Sequence, residues 1–158
     1  MHTTSSTGNI GFLIQHLAAT LVQQNDQMLQ EQLGIGFSQF KLLMVLQRKP
    51  HIQQKQIADI LGQTEASISR QVKLLHDKDL LQTTVSPQNR REHITTLTPK
   101  GLRYTEEAVR ILNYFHRPMF EQLSEKQQQQ LTEGLMIMHG NICPANTNSA
   151  CREFLKNS

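Results

Sequence analysis

Apolar residues recur along both ends of this chain at spacings of three, four and seven positions, a pattern that indicates amphipathic helices. At the N-terminal end it predicts a long helix over about residues 9–32, which a Gly-Ile-Gly run ends. A second helix is predicted over residues 37–47. It stops before Pro50, because the residue preceding a proline is disfavoured in helical geometry. Residues 1–8 lack this pattern, and we expect them to be disordered.

The middle of the chain predicts shorter elements. A third helix is expected over residues 53–61, with Gly62 just past its end, where a left-handed glycine is common. Thr64 is the predicted N-cap of a fourth helix, whose apolar residues share one face. The opposite face carries the polar residues Glu65, Ser67, Ser69, Arg70, Gln71 and Lys73. Residues 80–85 and 93–97 are rich in β-branched side chains and predict a β-hairpin.

The last third of the chain is predicted to be helical again. Thr98 caps a fifth helix with Pro99 at its first position, where the missing N–H costs nothing. Pro118 is expected to end this helix at the preceding residue. A capping box at residues 124–127 starts a sixth helix, which leads into residues 141–158, an expected irregular tail.

These elements predict a mainly α fold with a small β-hairpin wing, a winged helix-turn-helix between long terminal helices. The terminal helices are too long to bury their apolar stripes against so small a middle. We therefore expect a homodimer in which the first, fifth and sixth helices of two chains interleave. The predicted parts are a disordered start (1–8), an N-terminal dimerisation helix (9–35), a DNA-binding lobe (36–99), C-terminal dimerisation helices (100–140) and the tail (141–158).

Positive charge is concentrated in the predicted lobe. Residues 32–101 contain ten Lys or Arg and five Asp or Glu, a net +5, whereas the whole chain carries +3, so the two ends together carry −2. A polyanion would bind the middle rather than the ends. The chain has no Trp and is only 5% aromatic, which argues against a stacking platform for single strands. Duplex DNA is the predicted partner.

Other function classes find little support in the composition. No apolar run approaches the roughly 18 residues of a membrane span, and residues 1–8 do not resemble a secretion signal, so we expect a cytoplasmic protein with no membrane partner. A glycine-rich phosphate loop, a suggestive carboxylate pair and a Cys-His motif are all missing, so we expect neither an enzyme nor a cofactor. The seven histidines are never three or four positions apart, and we expect no metal site.

Five short segments, in their order and spacing, resemble the multiple-antibiotic-resistance regulator (MarR) family. They are GFSQF at 36–40, QIADIL at 56–61, SRQVKLL at 69–75, NRR at 89–91 and LTPKG at 97–101. The resemblance covers roughly residues 10–140. It implies a dimeric DNA-binding regulator, most often a repressor, that is released by a small phenolic or other aromatic ligand, by oxidants or, in a few cases, by zinc.

The resemblance also implies which residues meet DNA. It makes residues 64–78 the recognition helix in the major groove, with Arg70 as the helix arginine and Arg90 and Arg91 as the wing arginines. An arginine can donate two hydrogen bonds to guanine, and a wing arginine suits the narrow minor groove of A·T-rich sequence. The expected contacts, on a pseudo-palindromic operator, come from Thr64, Ser67, Ser69, Arg70, Gln71, Lys73, Arg90 and Arg91.

This chain departs from the family pattern around the wing. Ser86 and Asn89 stand where family wings usually carry an aspartate, and Asp79 replaces the usual glycine after the recognition helix. An aspartate would hold a wing arginine through a charge-assisted hydrogen bond. We therefore expect a less rigid wing.

The sequence leaves the mode of control open. The resemblance implies an effector cleft between the dimer helices and the DNA-binding lobe. Its candidate lining residues are Phe12, His16, Met44 and Tyr104. A redox-responsive repressor would instead use Cys143 and Cys151, which could form a disulfide. A third hypothesis is a winged helix that contacts protein without DNA; steep salt dependence would distinguish DNA binding from it.

Overall fold

A computed structural model describes residues 6–142 of the 158-residue chain. Within that range six helices and three strands follow one another. They are α1 (Ser6–Leu33), α2 (Phe37–Arg48), β1 (Ile52–Gln53), α3 (Gln54–Leu61), α4 (Glu65–Asp77), β2 (Leu81–Val85), β3 (His93–Leu97), α5 (Pro99–Phe120) and α6 (Glu125–Ile142). The predicted mainly α fold with a hairpin wing is confirmed. Cys143 and Cys151 lie outside the described residues.

Three helix ends differ from the sequence prediction. Helix α1 begins at Ser6, three residues earlier than its apolar pattern indicated, so the expected disorder was wrong for residues 6–8. Helix α6 continues to Ile142, so residues 141–142 are helical rather than part of an irregular tail. The prediction that Pro118 ends the fifth helix was wrong, since α5 continues to Phe120. A proline removes a single backbone donor, and the Glu121 N–H still donates to the Arg117 carbonyl, so the last turn is retained.

The sheet contains a strand that the sequence pattern did not predict. Strand β1 pairs antiparallel with β3, opposite Thr95, and the strand order is β1-β3-β2. Ile52 in β1 is buried in the core of the lobe. A two-residue strand is too short to show alternation, and it forms here because β3 offers an edge for it to pair with.

The core joins the lobe to the middle of α5. Its fully buried side chains come from every helix between α2 and α4 and from the first strand of the hairpin. They include Leu43, Ile57, Leu75 and Leu81. From α5, Ala108 and Leu112 pack into the same cluster. The lobe and the middle of α5 therefore share one core.

The C-terminal end of α4 is fastened to the start of α5. Asp79 has a positive φ of 60°, and its carbonyl accepts a hydrogen bond from Thr98 Oγ1 at 2.7 Å. The Lys100 ammonium donates to the Lys78 carbonyl at 2.8 Å. Gly101 lies so close to the Leu80 carbonyl that a Cβ there would be 1.8 Å from the oxygen. The Thr-Pro-Lys-Gly segment thus shapes this junction.

The terminal helices leave most of their apolar side chains uncovered within this one chain. Between residues 8 and 33 only Asn25 and Leu29 are buried, and no residue of α6 is buried. The exposed large apolar residues of α1 and α6 are Ile10, Phe12, Leu13, Ile14, Leu17, Val22, Leu131, Leu135, Met136, Ile137 and Ile142. None of the described helices combines the length and apolar composition needed to cross a membrane.

Candidate nucleic-acid interface

Helix α4 presents a basic face because three of its aliphatic side chains are buried on the opposite face, while the apolar residues Ala66 and Leu74 are exposed. Thr64 caps the helix by accepting a hydrogen bond from the Ser67 N–H at 3.2 Å, as predicted. Three aliphatic side chains anchor the inner face, namely Ile68, Val72 and Leu75. The side chains of Ser69, Arg70 and Lys73 are consequently exposed on the outer surface.

Two polar residues of α4 do not face outward as predicted. Ser67 and Gln71 are half-buried because both donate to the Gln63 side chain in the turn before α4, at 3.2 and 2.8 Å. The Gln71 Oε1 atom is buried and has no hydrogen-bond partner within the described part of the chain. The side-chain network of Gln63 thus fixes one flank of α4. The sequence held no signal for it beyond three polar residues four positions apart.

The wing turn is held by the two residues that depart from the family pattern. The Asn89 side chain accepts from the Arg91 N–H and donates to the Glu92 carboxylate, both at 3.1 Å. Ser86 Oγ accepts from the Gln88 N–H at 3.3 Å. These are the local side-chain bonds that order tight turns. Hydrogen bonds from Ser86 and Asn89 thus shape the turn while the side chain of Arg91 stays exposed, and the expectation of a less rigid wing stays a prediction.

Helix α4 and the wing line one groove of about 460 Å³, together with the start of α3. Ser69 contributes from α4, Arg91 from the wing and Lys55 from the first turn of α3. Two acids, Glu65 and Glu92, line it as well. The structure therefore brings Ser69 and Arg91, both predicted from the sequence, to one site. Lys55 was missed, although its place in the basic middle was a usable signal.

The four effector candidates fall at two separate places. Phe12 and His16 stack on each other at 6.0 Å between ring centroids, and both are exposed on the N-terminal half of α1. Met44 and Tyr104 instead pack, half-buried, against the core of the lobe. None of the four lines the larger cavity described next.

A cavity of about 560 Å³ lies between the C-terminal half of α1 and α5. Its apolar wall includes Met28, Tyr114 and Phe115, and two cations, Arg110 and Arg117, stand at its edge. Arg110 hydrogen-bonds Glu107 through Nε at 2.9 Å, and this bond lowers the pKa of the Glu107 carboxyl. The cavity therefore combines aromatic surface with positive charge.

A polar contact ties α1 to α5 near this cavity. The His116 ring donates through Nε2 to Asn25 Oδ1 at 2.7 Å, and Asn25 is buried. Burial lowers the pKa of His116, because a charged imidazole loses hydration there. Within residues 6–142, no group of three or more His, Cys, Asp or Glu residues is placed to hold a metal ion.

Known proteins share this arrangement of a helix-turn-helix, a wing and long terminal helices. Residues 33–92, which contain α2 to α4 and the wing turn, match the model of the MarR family. The fold is that of solved regulators of this family, among them apo MarR from E. coli, with a TM-score of 0.72 at 19% identity over 81% of this chain and 95% of that one. The lobe thus matches the MarR family model, and the whole fold is shared with solved regulators of that family. No curated protein has a sequence similar enough to count as a match.

Two further structures extend the likeness beyond the residues that match the family model. BldR from Sulfolobus solfataricus has a TM-score of 0.78 at 20% identity, and the aligned region covers 90% of this chain and 100% of the BldR chain. The MepR–DNA complex from S. aureus gives a TM-score of 0.73 at 26% identity, covering 85% of this chain and 98% of MepR. The terminal helices are therefore part of the shared fold.

Proposed function

We propose that this chain is a cytoplasmic, dimeric DNA-binding repressor without enzymatic activity, released from DNA by a small aromatic ligand. The observation that carries the DNA proposal is the groove into which both Ser69 of α4 and Arg91 of the wing project. Arg70 and Lys73 stand exposed on the same helix. MepR, at 26% identity, has been solved in complex with DNA, which supports the same use of this lobe.

The proposed contacts divide into base recognition and backbone positioning. Arg70 is positioned to offer its guanidinium to guanine O6 and N7 in the major groove, a pair worth about 1–3 kcal/mol of discrimination. Lys73 and the Thr64 hydroxyl, whose proton is free while its oxygen caps the helix, are proposed to bind phosphates. Ser67 and Gln71 would first have to release Gln63 before they reach DNA.

The wing completes the proposed interface. Arg90 and Arg91 are exposed at its tip, where they can enter the minor groove beside the recognition helix. Arg91 has the fixed backbone position that the Asn89 side chain provides. We therefore assign A·T-rich flanks to each half-site.

The dimer is proposed from the apolar surface of the terminal helices. The uncovered stripes on α1 and α6 are larger than scattered surface residues require, and such patches mark association sites. A two-fold dimer presents two lobes to one side of a duplex. The operator is then pseudo-palindromic, with half-sites about one helical turn apart.

Ligand control is proposed at the cavity between α1 and α5 rather than at the four residues suggested by the sequence. Tyr114 and Phe115 can stack on an aromatic ring, and Arg117 can pair with a carboxylate, whereas Arg110 already bonds Glu107. A ligand that separates α1 from α5 alters the proposed dimer surface and hence the spacing of the lobes. Release of a DNA probe by benzoate-type compounds, and its loss in Tyr114→Ala, tests this step.

A gel-shift assay tests the DNA proposal. Fragments from the chain's own promoter region are titrated with wild type, Arg70→Ala and Arg91→Ala. Arg103→Ala, an exposed arginine on α5 outside the groove, serves as the matched control. We expect Arg70→Ala to relax sequence preference, Arg91→Ala to weaken binding more uniformly, and the control to bind normally.

Two outcomes would reject the DNA proposal. Unchanged binding by both Arg70→Ala and Arg91→Ala would reject the assigned residues. Binding that does not weaken as salt rises would reject phosphate contact altogether and favour a winged helix that docks on protein.

A further inference from the structure

One large apolar side chain breaks the polar outer face of α4. Leu74 is 52% exposed and does not belong to the core cluster. The inner face needs no help from it, since Ile68, Val72 and Leu75 are all buried there. An aliphatic side chain that remains half in water next to the exposed Arg70 and Lys73 is available for contact with a partner.

Leu74 shares a row with two other exposed residues of the same helix. Side chains four positions apart lie above one another on one helix face, so Ala66, Arg70 and Leu74 form a single line. All three are exposed. Arg70 thus stands between two groups that end in methyls, on the face proposed to enter the major groove.

Duplex DNA offers a matching group to such a row. In the major groove, the apolar feature among the base edges is the thymine 5-methyl, and alanine and other apolar side chains contact it. The flanking positive charge of Arg70 and Lys73 selects a polyanion over an apolar protein surface. The occupant that fits both the charge and the methyls is therefore a duplex rather than another protein.

We propose that Ala66 and Leu74 recognise thymines through their methyl groups, on either side of the guanine bound by Arg70. This inference rests on the proposed DNA binding. Four helical residues rise about 6 Å, which corresponds to about two base-pair steps. Each half-site is then expected to carry thymines within about two base pairs of the guanine, on both sides of it.

The test begins with duplexes that wild-type protein selects from a random-sequence pool. Each thymine of a selected duplex is then replaced singly by deoxyuridine, which lacks the methyl and keeps the same base-pairing groups. We expect two thymines in each half-site to matter, with binding about fourfold weaker for each methyl removed, from the transfer free energy of one buried carbon group.

Two variants assign the methyls to side chains. Leu74→Ser is expected to bind the thymine and deoxyuridine duplexes equally at one of the two positions and to keep the fourfold loss at the other. Ala66→Gly is expected to show the reverse. Leu102→Ser, which alters an exposed leucine on α5, is the matched control and is expected to retain both losses. Thermal unfolding of each variant confirms that it is folded.

The outcomes separate this inference from the proposed function. If wild type selects no sequence and binds no duplex, the proposed DNA binding is wrong, and the thymine contacts of Ala66 and Leu74 are overturned with it. If selected duplexes bind but deoxyuridine changes nothing, DNA binding stands and the thymine contacts are overturned. If deoxyuridine weakens binding equally in wild type, Leu74→Ser and Ala66→Gly, other residues recognise the methyls and the assignment is overturned.

Discussion

The winged lobe and the terminal helices carry the same kind of apolar periodicity but bury it to very different extents. In α2, Leu42 and Leu43 have no exposed surface. In α6, Leu135 remains 41% exposed and Ile137 68% exposed. Periodicity therefore identifies which face of a helix is apolar and does not tell what covers that face.

This contrast separates two sources of order in the molecule. The lobe is stabilised by contacts within one chain, and its polar outer face is left free. Helices α1 and α6 instead keep most of their large apolar side chains exposed within the described residues of one chain. Under the proposed function, a second copy covers that surface and thereby places the two polar faces toward one duplex.

The variant with the largest expected effect tests how closely α5 packs against the lobe. Gly101→Ala places a methyl against the Leu80 backbone carbonyl, with 1.8 Å between the atoms before relaxation. We expect a loss of about 3 kcal/mol in the free energy of unfolding, because overpacking against backbone cannot be relieved by a side-chain rotation. Urea unfolding measures it.

Gly134→Ala provides the matched control on α6. A Cβ at Gly134 meets nothing within 4 Å, and alanine favours a helix over glycine by about 1 kcal/mol. This variant is expected to be as stable as wild type or slightly more stable. Equal losses in Gly101→Ala and Gly134→Ala would contradict the close approach of α5 to the lobe.

The next largest effect concerns the terminal helices and tests whether the apolar face of α6 mediates self-association. Ile137→Asp adds a charge to the exposed apolar face of α6, and a dimer contains that change twice. Self-association is expected to weaken by about 100-fold or more, from the lost burial of two isoleucines, while the lobe stays folded. Gel-filtration elution across a dilution series measures it. Gln129→Asp on the same helix is the control, and an equal effect of both variants would argue against a specific apolar interface.

A smaller effect sharpens the description of the junction between lobe and α5. Asp79 adopts a φ of 60°, a conformation that glycine reaches without strain. Asp79→Gly is expected to raise the free energy of unfolding by up to about 1 kcal/mol, and Asp79→Ala to lower it. Chemical unfolding that ranks alanine above glycine would contradict the left-handed backbone at this position.

The smallest effect concerns pH and the contact between α1 and α5. Burial lowers the pKa of His116 in the folded protein, so the unfolded chain takes up the proton first. The stabilising contribution of neutral His116 is complete above the unfolded pKa of about 6.5 and is lost as the pH falls through the lower folded pKa. Unfolding free energies measured from pH 7.5 to 5.5 should show a smaller decrease in His116→Gln. An identical decrease in both proteins would contradict this role.

Features that depend on neighbouring residues in sequence were predictable. The N-caps at Thr64 and Thr98 and the capping box at Ser124 are confirmed, because a cap joins residues three positions apart. The left-handed Gly62 is confirmed for the same local reason. The pattern of apolar and polar positions predicted the order of the elements, and the resemblance to the MarR family implied roles for Arg70, Arg90 and Arg91.

Features that depend on distant contacts were not predictable. Strand β1 exists because β3, some forty positions later in the sequence, lies beside it. The cavity between α1 and α5 brings Met28 next to Tyr114 and Phe115, which are more than eighty positions away. Single-chain periodicity contains no information about such pairs, so the sequence did not indicate this cavity.

The central claim is that two chains, joined through α1, α5 and α6, present two lobes to one duplex. Sedimentation equilibrium of the protein on a duplex selected by it tests this claim most directly. The proposal predicts a complex whose mass equals the duplex plus two chains of 18.1 kDa. A complex containing a single chain, or a folded protein that stays at 18.1 kDa beside free duplex, would contradict it.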